Sequence, residues 1–303
     1  MPGQTPFAAA LQAAAIDYTC GEILAGHCTF RIGGPADYFV RPASQEQLCR
    51  AVRLCREHMV PYYFLGNGSN ILFGDAGYRG AVLDVSALAG PEAIRVEGTT
   101  LTALAGCTLM QLCRTAQSHG LSGLEFAYGI PGTLGGAVYM NAGAYGGEMK
   151  DVLLDVTVLE QDGTLHTLPA GRLDLRYRHS ALEDTGACVL RARLRLVPGE
   201  PEQIRARMLE LMDRRRQKQP LDKPSAGSTF KRPQGAFAAA LIDQCGLRGY
   251  RVGGAAVSEK HCGFVVNLGG ATCADVERLC AEVSRIVQEK TGYVLEKEIR
   301  VVK

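Results

Sequence analysis

Several features that define large protein classes are missing from this 303-residue sequence. There is no excess of charge, because 33 Lys and Arg residues against 31 Asp and Glu residues leave a formal net charge of +2. Nucleic-acid-binding domains usually carry a strongly basic face, so we expect no nucleic-acid partner. No apolar run reaches the roughly 20 residues that a membrane helix needs, so we expect no membrane association.

Signals for secretion and for metal binding are also absent. No Lys or Arg precedes Arg31, whereas a secretory signal begins with basic residues, so we expect a cytoplasmic location. The eleven Cys residues contain no CxxC pair, and zinc sites need such spacing. We therefore expect buried, reduced thiols and no bound metal, and nothing predicts an obligate protein partner.

Glycine is the residue present in excess. The 36 Gly residues are about 12% of the chain, against roughly 7% in average proteins. They have no Gly-X-Y period, which excludes collagen. Many lie at Gly33-Gly34, at Gly66 and Gly68, and between Gly129 and Gly147, so a few segments need unusually permissive backbone.

Hydrophobic periodicity and turn signals predict an α+β fold with a smaller α/β lobe. The Pro198-Gly199-Glu200-Pro201 cluster is the best linker candidate. We predict an N-terminal helical segment (1–26), a domain in two subdomains (27–197, divided near 85/86) and a second domain (198–303). The predicted helices are 44–58, 108–119, 201–217 and 275–291; the predicted strands include 62–65, a hairpin over 155–167, 189–197 and 294–302.

Two glycine segments could bind a ligand. Gly66 to Asn70 follows the apolar strand 62–65, and its backbone N–H groups could surround an anion or simply form a tight turn. The segment from Gly129 to Gly147 holds seven glycines, too many for an ordinary helix or strand, so it either approaches a flat or phosphorylated ligand or is a linker. Neither segment has the GxGxxG pattern of a Rossmann fold or the Gly-Lys-Ser/Thr of a P-loop.

A third segment, Pro224 to Pro233, places Ser228 among small residues and before Lys231 and Arg232. Such a serine could bind phosphate or donate a proton, although hydrogen bonding to the backbone is the commoner role of an isolated serine. The residues alone leave these alternatives open.

Together these motifs resemble a known family. The segments Thr29–Ala36 and Gly66–Asn70 resemble the flavin-binding entry of the vanillyl-alcohol-oxidase-like (PCMH-type) FAD superfamily. Five further motifs, in one order, make the chain similar to the UDP-N-acetylenolpyruvoylglucosamine reductase (MurB) family from about residue 20 to its end. They are Gly129–Thr133, Met140–Gly146, Tyr177–Ser180, Ser225–Lys231 and Leu295–Arg300.

The resemblance implies a two-part PCMH-type FAD domain followed by a substrate-binding domain. It implies non-covalent FAD, with NADPH as co-substrate in the pocket that also takes UDP-N-acetylglucosamine enolpyruvate. The residues that it assigns to FAD are Arg31, Gly66, Asn67, Gly68, Ser69, Asn70, Gly129, Pro131, Gly132, Thr133, Gly135, Gly136 and Asn141.

The resemblance also assigns catalytic and substrate-binding roles. Ser228 would donate the proton, and Arg178 and Glu298 would act on the substrate carboxylate and the developing enol, with Glu298 favoured over its neighbour Glu296 by the family pattern. The substrate-binding residues would be Tyr145, Lys218, Lys231 and Arg232. Arg232 stands where the family usually has Asn, and the compact chain lacks the substrate-capping loop of some members, for which Tyr145 is the candidate substitute.

Two other functions remain open at this stage. The chain could be another sugar or alcohol oxidase or dehydrogenase of the same flavin superfamily, in which FAD is usually attached to His or Cys. It could also be a nucleotide-sugar-binding protein without catalysis, although the presence of Ser228, Arg178 and Glu298 argues against this.

Overall fold

The computed structural model describes residues 5–90 and 93–303 and divides the chain into two compact units. Among these residues, the first unit contains 5–20, 38–67 and 80–214, and the second contains 21–37, 68–79 and 215–303. Residues 1–4 of the predicted N-terminal segment lie outside the described residues. The domain boundaries predicted near 26, 85 and 197 stay predictions.

The helices and strands follow one another in mixed order along the chain. The helices are α1 (Pro6–Ala13), α2 (Gln45–Glu57), α3 (Leu109–Ser118), α4 (Leu134–Tyr139), α5 (Leu182–Thr185), α6 (Pro201–Lys218), α7 (Ala238–Gln244) and α8 (Cys273–Thr291). The strands are β1 (Asp17–Ile23), β2 (Pro35–Arg41), β3 (Tyr62–Leu65), β4 (Ile71–Phe73), β5 (Tyr78–Asp84), β6 (Ile94–Glu97), β7 (Thr100–Leu104), β8 (Leu121–Ser122), β9 (Gly143–Ala144), β10 (Gly147–Glu148), β11 (Leu153–Leu159), β12 (Leu165–Pro169), β13 (Cys188–Arg195), β14 (Val197–Pro198), β15 (Arg251–Val252), β16 (Ala255–Val257), β17 (Val265–Asn267) and β18 (Arg300–Val302).

One layer, formed mainly by residues of the first unit, is a four-stranded sheet covered by α1 and α2. The strand order is β1–β2–β5–β3, and β3 runs parallel to β5 with Tyr62 opposite Ala81. The predicted helix α2 is confirmed, and its N-cap Ser44 accepts a hydrogen bond from the Gln47 N–H. The amphipathic face of α2 buries Leu48 and Val52 in the core of this layer.

The helix at the N-terminus is shorter than the sequence suggests. It ends at Ala13, and Ala15 has a left-handed φ of +52° that a continuing helix cannot accommodate. The next residues form β1, whose Tyr18, Thr19 and Ile23 are types that favour strands. The prediction of a helix up to residue 26 is therefore wrong beyond Ala13.

The second layer of the first unit is a five-stranded antiparallel sheet in the order β12–β11–β13–β7–β6. The hairpin predicted at Asp162-Gly163 joins β11 to β12, and Gly163 supplies the positive φ of +85°. The predicted helix α3 is also confirmed, with a capping box between Thr108 and Gln111 at its start.

The glycine-rich segment contains a helix that the sequence argued against. Helix α4 includes Gly135 and Gly136, each of which costs about 1 kcal/mol relative to Ala. A Cβ on Gly135 would lie 2.9 Å from the Cβ of Ala105, so glycine lets the helix approach the sheet. Leu134, Ala137 and Val138 are buried there, and this packing offsets the propensity cost.

The second unit combines a three-stranded antiparallel sheet, β15–β16–β17, with the parallel pair β4–β18. Helix α8 begins with a capping box between Thr272 and Asp275 and buries Val276, Leu279 and Val283. The predicted last strand over 294–302 is reduced to β18, since its partner β4 offers only three residues.

Two further observations concern the whole described chain. None of its helices is long and apolar enough to cross a membrane. All eleven Cys residues are free thiols, and nine of them are buried.

Candidate active site

The loop after β3 is attached to the segment 129–136 within the first unit. Asn67 Nδ2 donates a hydrogen bond of 2.7 Å to the Pro131 carbonyl. A Cβ on Gly66 would lie 2.5 Å from Oγ1 of the buried Thr133, a contact that only glycine avoids. Two segments assigned to FAD by resemblance are therefore neighbours in the structure.

The rest of this loop is packed against residues 27–31 within the second unit. Gly68 has a φ of +57°, and a Cβ there would lie 2.4 Å from the His27 carbonyl oxygen. The Gly68 carbonyl accepts a 3.3 Å hydrogen bond from the Thr29 N–H. Arg31 is exposed and also has a left-handed φ, +56°, so this segment is shaped by local backbone geometry.

The loop has the properties that a diphosphate requires. Among residues 5–90 and 93–303, no protein group accepts a hydrogen bond from the backbone N–H of Gly68 or Ser69 in the second unit. Consecutive N–H groups without protein partners form an anion-binding concavity, and an unsatisfied donor is costly unless water or a ligand pairs with it. These two N–H groups are therefore available to an anion such as a phosphate.

Asn141 is a fully buried polar residue at the end of α4. Its Nδ2 donates to Glu148 Oε2 at 2.9 Å and to the Arg176 carbonyl at 3.0 Å, and its Oδ1 accepts from the Lys150 N–H at 2.9 Å. The amide thus joins three segments of the first unit. Its contact with FAD stays a prediction, whereas its role in holding the chain before Arg178 is visible in the structure.

Arg178 lies at the tip of a tight turn. The backbones of Arg176 and His179 exchange hydrogen bonds of 3.1 and 3.2 Å, so Tyr177 and Arg178 form the tip, and Arg178 has a φ of +54°. Its guanidinium lies 5.0 Å above the Tyr177 ring, and Nη2 donates to the Gly143 carbonyl at 3.2 Å. The side chain that the resemblance assigns to the substrate carboxylate is therefore held at a fixed position.

Ser228 and Glu298 lie on neighbouring backbone segments of the second unit. Ser228 forms a bridge with Phe264, and the Glu298 N–H donates to the Thr229 carbonyl at 2.8 Å. Asn70 Nδ2 donates to the Glu298 carbonyl at 3.2 Å. The fold thus brings together a proposed proton donor, a proposed carboxylate and the end of the glycine loop, from three distant parts of the sequence.

Glu296 and Glu298 differ in their exposure to solvent. The Glu296 side chain is 72% exposed and pairs with Lys231 Nζ at 3.5 Å, while Glu298 is half-buried. A half-buried carboxylate is the better candidate for a site from which water is displaced. This environment supports the choice of Glu298.

The basic residues predicted for the substrate diphosphate differ in their surroundings. Lys218 is exposed at the last position of α6. The guanidinium of Arg232 lies 4.6 Å from the centroid of the Phe237 ring, and Phe237 is 61% exposed. Arg232 thus has an aromatic neighbour that could equally stack with a planar ligand.

Tyr145 lies at the tip of the β9–β10 hairpin and lines a cavity of about 430 Å³ in the first unit. The cavity is also lined by Glu125 and Phe126 and by Gln203 and Arg207 of α6. Tyr145 is 40% exposed, so a ligand can reach its ring. Its predicted contact with substrate stays a prediction.

Sequence reasoning missed Glu148. Its carboxylate pairs with Lys150 Nζ at 2.9 Å and accepts from Asn141. The hydrogen bond from Lys150 lowers the pKa of Glu148 most. Burial opposes this shift, and the hydrogen bond from Asn141 and the charges of Lys150 and Arg178 lower the pKa further. The one available signal was its position directly after the glycine-rich segment from Gly129 to Gly147.

Comparison with known proteins shows the family. Residues 219–302 match the model of the C-terminal domain of UDP-N-acetylenolpyruvoylglucosamine reductase, and residues 36–169 match an FAD binding domain. The UDP-N-acetylenolpyruvoylglucosamine reductase of Agathobacter rectalis is 49% identical over 291 residues, covering 93% of this chain and 92% of that protein. The chain belongs to the UDP-N-acetylenolpyruvoylglucosamine reductase family.

Two more relatives agree with this assignment. The Lachnoclostridium phytofermentans enzyme of that name is 49% identical over 288 residues, covering 94% of this chain and 92% of that protein. The crystal structure of the Thermus caldophilus enzyme has a TM-score of 0.78 and 39% identity, covering 95% of this chain and 99% of that chain. The predicted family, α+β fold and FAD-dependent oxidoreductase class are confirmed, and the alternative oxidase function is not supported.

Proposed function

We propose that this member of the family reduces UDP-N-acetylglucosamine enolpyruvate to UDP-N-acetylmuramate, with NADPH as the source of electrons. The observation that carries the chemistry is the adjacency of the Ser228 and Glu298 segments, joined through the Glu298 N–H to Thr229 carbonyl bond of 2.8 Å. A hydroxyl and a carboxylate on neighbouring segments can act on one substrate carbon and its carboxylate.

FAD, when bound, supplies the hydride chemistry that no amino-acid side chain can, by accepting a hydride from NADPH and passing one from N5 to the terminal carbon of the enolpyruvyl group. The chain's part is to bind and orient it. The N–H groups of Gly68 and Ser69 hold the diphosphate together with Arg31, which lies two positions after Thr29, the residue whose N–H donates to the Gly68 carbonyl. We also assign to FAD Gly66, Asn67 and the segment from Gly129 to Gly136, which contact one another within the first unit.

Ser228 supplies the proton. Hydride addition leaves carbanion or enolate character on the carbon next to the substrate carboxylate, and this carbon must be protonated. A serine hydroxyl is a weak acid, but an enolate is a strong base, so proton transfer from Ser228 Oγ needs no unusual acidity. The neighbouring buried Thr229 fixes the segment, because its Oγ1 accepts from the Val265 N–H at 2.9 Å.

Arg178 and Glu298 act on the charge that develops. The forked guanidinium of Arg178 donates paired hydrogen bonds to the substrate carboxylate, which stabilises the enolate as negative charge moves onto those oxygens. Glu298 hydrogen-bonds to the enol. Lys218, Lys231 and Arg232 bind the UDP diphosphate, and Tyr145 contacts the substrate.

NADPH and the UDP-sugar use the same pocket in turn. The chain has one FAD-binding domain and no GxGxxG fingerprint for a second dinucleotide domain. Exclusive occupancy gives a ping-pong mechanism. Double-reciprocal plots of initial rate against the concentration of the enolpyruvyl substrate, at several NADPH concentrations, should be parallel lines. Intersecting lines would show a ternary complex and refute the shared pocket.

The function is tested with purified protein under anaerobic conditions. NADPH should bleach the yellow flavin colour, and UDP-N-acetylglucosamine enolpyruvate should restore it in stoichiometric amount. Bleaching without recolouring by this substrate would refute the proposal. Flavin that stays with the protein after acid precipitation would contradict non-covalent FAD.

A further inference from the structure

We propose that Glu148 is a positioning residue for Arg178, and that it sets the orientation of the guanidinium that receives the substrate carboxylate. The inference rests on the proposed function. It assigns a role to a residue outside the catalytic set of Ser228, Arg178 and Glu298.

The first step in the argument is the register of the β9–β10 hairpin. Glu148 stands directly opposite Gly143, and a Cβ on Gly143 would lie 2.7 Å from the Glu148 Cγ. The Glu148 side chain therefore crosses the face of Gly143. The carbonyl of the same Gly143 accepts the 3.2 Å hydrogen bond from Arg178 Nη2, so Glu148 and Arg178 meet at one residue.

The second step is that the Glu148 carboxylate has a fixed location. Oε2 accepts from Asn141 Nδ2 at 2.9 Å and pairs with Lys150 Nζ at 2.9 Å. The Glu148 N–H donates to Asp151 Oδ2 at 2.8 Å. These hydrogen bonds keep the negative charge of Glu148 at a constant distance from the groups around it.

The third step is that the same network holds the turn that carries Arg178. Asn141 donates to the Arg176 carbonyl at 3.0 Å with the amide that also binds Glu148. On the other side of the turn, Ser180 Oγ donates to the Tyr139 carbonyl at 2.7 Å. The backbone of the turn that carries Arg178 and the negative charge of Glu148 are thus held by one hydrogen-bonded cluster. The charge of Arg178 in turn lowers the pKa of Glu148.

The arrangement has a consequence for catalysis. A forked guanidinium binds a carboxylate well in only one orientation, and small misplacements of a catalytic group cost large factors in rate. Without the Glu148 charge, Arg178 samples more orientations. The step that consumes the enolpyruvyl substrate should then slow, whereas hydride transfer from NADPH, which has no such carboxylate, should not.

The test uses the FAD-loaded enzyme and Glu148→Gln, which keeps an acceptor for Asn141 and removes only the charge. We expect flavin reoxidation at saturating enolpyruvyl substrate to slow about tenfold, with flavin reduction by NADPH nearly unchanged and the protein still folded at neutral pH. Glu148→Asp should recover part of the loss. Glu97→Gln is the matched control, because it makes the same change at an exposed glutamate at the end of β6, and it should stay within about twofold of wild type.

A double-mutant cycle shows whether Glu148 acts through Arg178. In an Arg178→Lys background, Glu148→Gln should have little further effect on reoxidation, because the fork that it orients is gone. Equal slowing of both half-reactions, an unchanged reoxidation rate or full additivity in the cycle would each overturn the inference. If wild-type enzyme itself fails to be reoxidised by the substrate, the proposed function has failed instead.

Discussion

Gly68 offers a sharp test of the glycine loop. Its φ of +57° disfavours any side chain, and a Cβ would lie 2.4 Å from the His27 carbonyl oxygen and 2.7 Å from the Cys28 Cα. The change Gly68→Ala therefore adds two costs. The left-handed backbone costs about 1–2 kcal/mol for a residue with a Cβ, and forcing a methyl group into backbone atoms costs about 1–3 kcal/mol more.

The chain contains a control that separates these two costs. Gly98, in the turn between β6 and β7, has nearly the same φ, +58°, and nothing lies within 4 Å of its Cβ position. Gly98→Ala should carry only the backbone cost. The difference between the two variants in the free energy of unfolding should then be about 1–3 kcal/mol.

The assay has two measurements. Denaturant unfolding of both variants gives the stability difference, and gel filtration followed by absorbance gives the FAD retained per protein. Gly68→Ala should lose stability and cofactor, since relieving the clash displaces the N–H groups of 67–69, whereas Gly98→Ala should retain FAD. Equal stability and equal FAD content in the two variants would refute the argument that close packing at Gly68 shapes the site.

Three further predictions follow from the site. Ser228→Ala should leave flavin reduction by NADPH intact and slow enolpyruvyl reduction by at least about 100-fold, measured by stopped-flow absorbance; survival of both half-reactions would remove Ser228 as the proton donor. Gly135→Ala, whose Cβ would lie 2.9 Å from that of Ala105, should lower the melting temperature more than Gly136→Ala, whose nearest neighbour is at 3.7 Å. The hydrogen bond from Lys150 lowers the pKa of Glu148, so the ionised carboxylate stabilises the protein above the ordinary carboxyl range, and this stabilisation is lost as pH falls below about 4.3. Wild type should therefore lose more stability than Glu148→Gln below that pH. Parallel curves of unfolding free energy against pH for the two proteins would contradict this.

Much of the fold could be predicted because its signals are local. Ser44 before α2 and the Thr108–Gln111 pair before α3 are caps whose effect depends on residues three positions away. The Asp162-Gly163 turn is likewise determined locally, because Gly163 adopts the positive φ that the turn needs. Two features that the sequence did not predict depend on partners elsewhere in the chain. Helix α4 exists because Gly135 meets Ala105, and β18 is short because β4 is short.

The same distinction applies to the site. Ser228, Arg178 and Glu298 can be proposed from motifs because their residue types stand in recognisable order, whereas Glu148 belongs to no motif that assigns it a role. Its partners Asn141 and Lys150 become informative only once β9 and β10 pair and set Glu148 opposite Gly143.

The contrast has a physical basis in what each kind of residue must satisfy. A residue that touches substrate is constrained by the chemistry of the reaction, so its type can be inferred from the type of reaction. A residue that orients Arg178 is constrained only by its distance from Arg178 and by its charge. Gly143 and Arg178 are 35 positions apart in the sequence, and only folding brings them into contact. Because Asn141 uses one amide to bind both Glu148 and the chain before Arg178, replacing Asn141 with Ala should release the turn and the carboxylate together. The structure thus gives Asn141 and Glu148 a common function that neither residue suggests by itself.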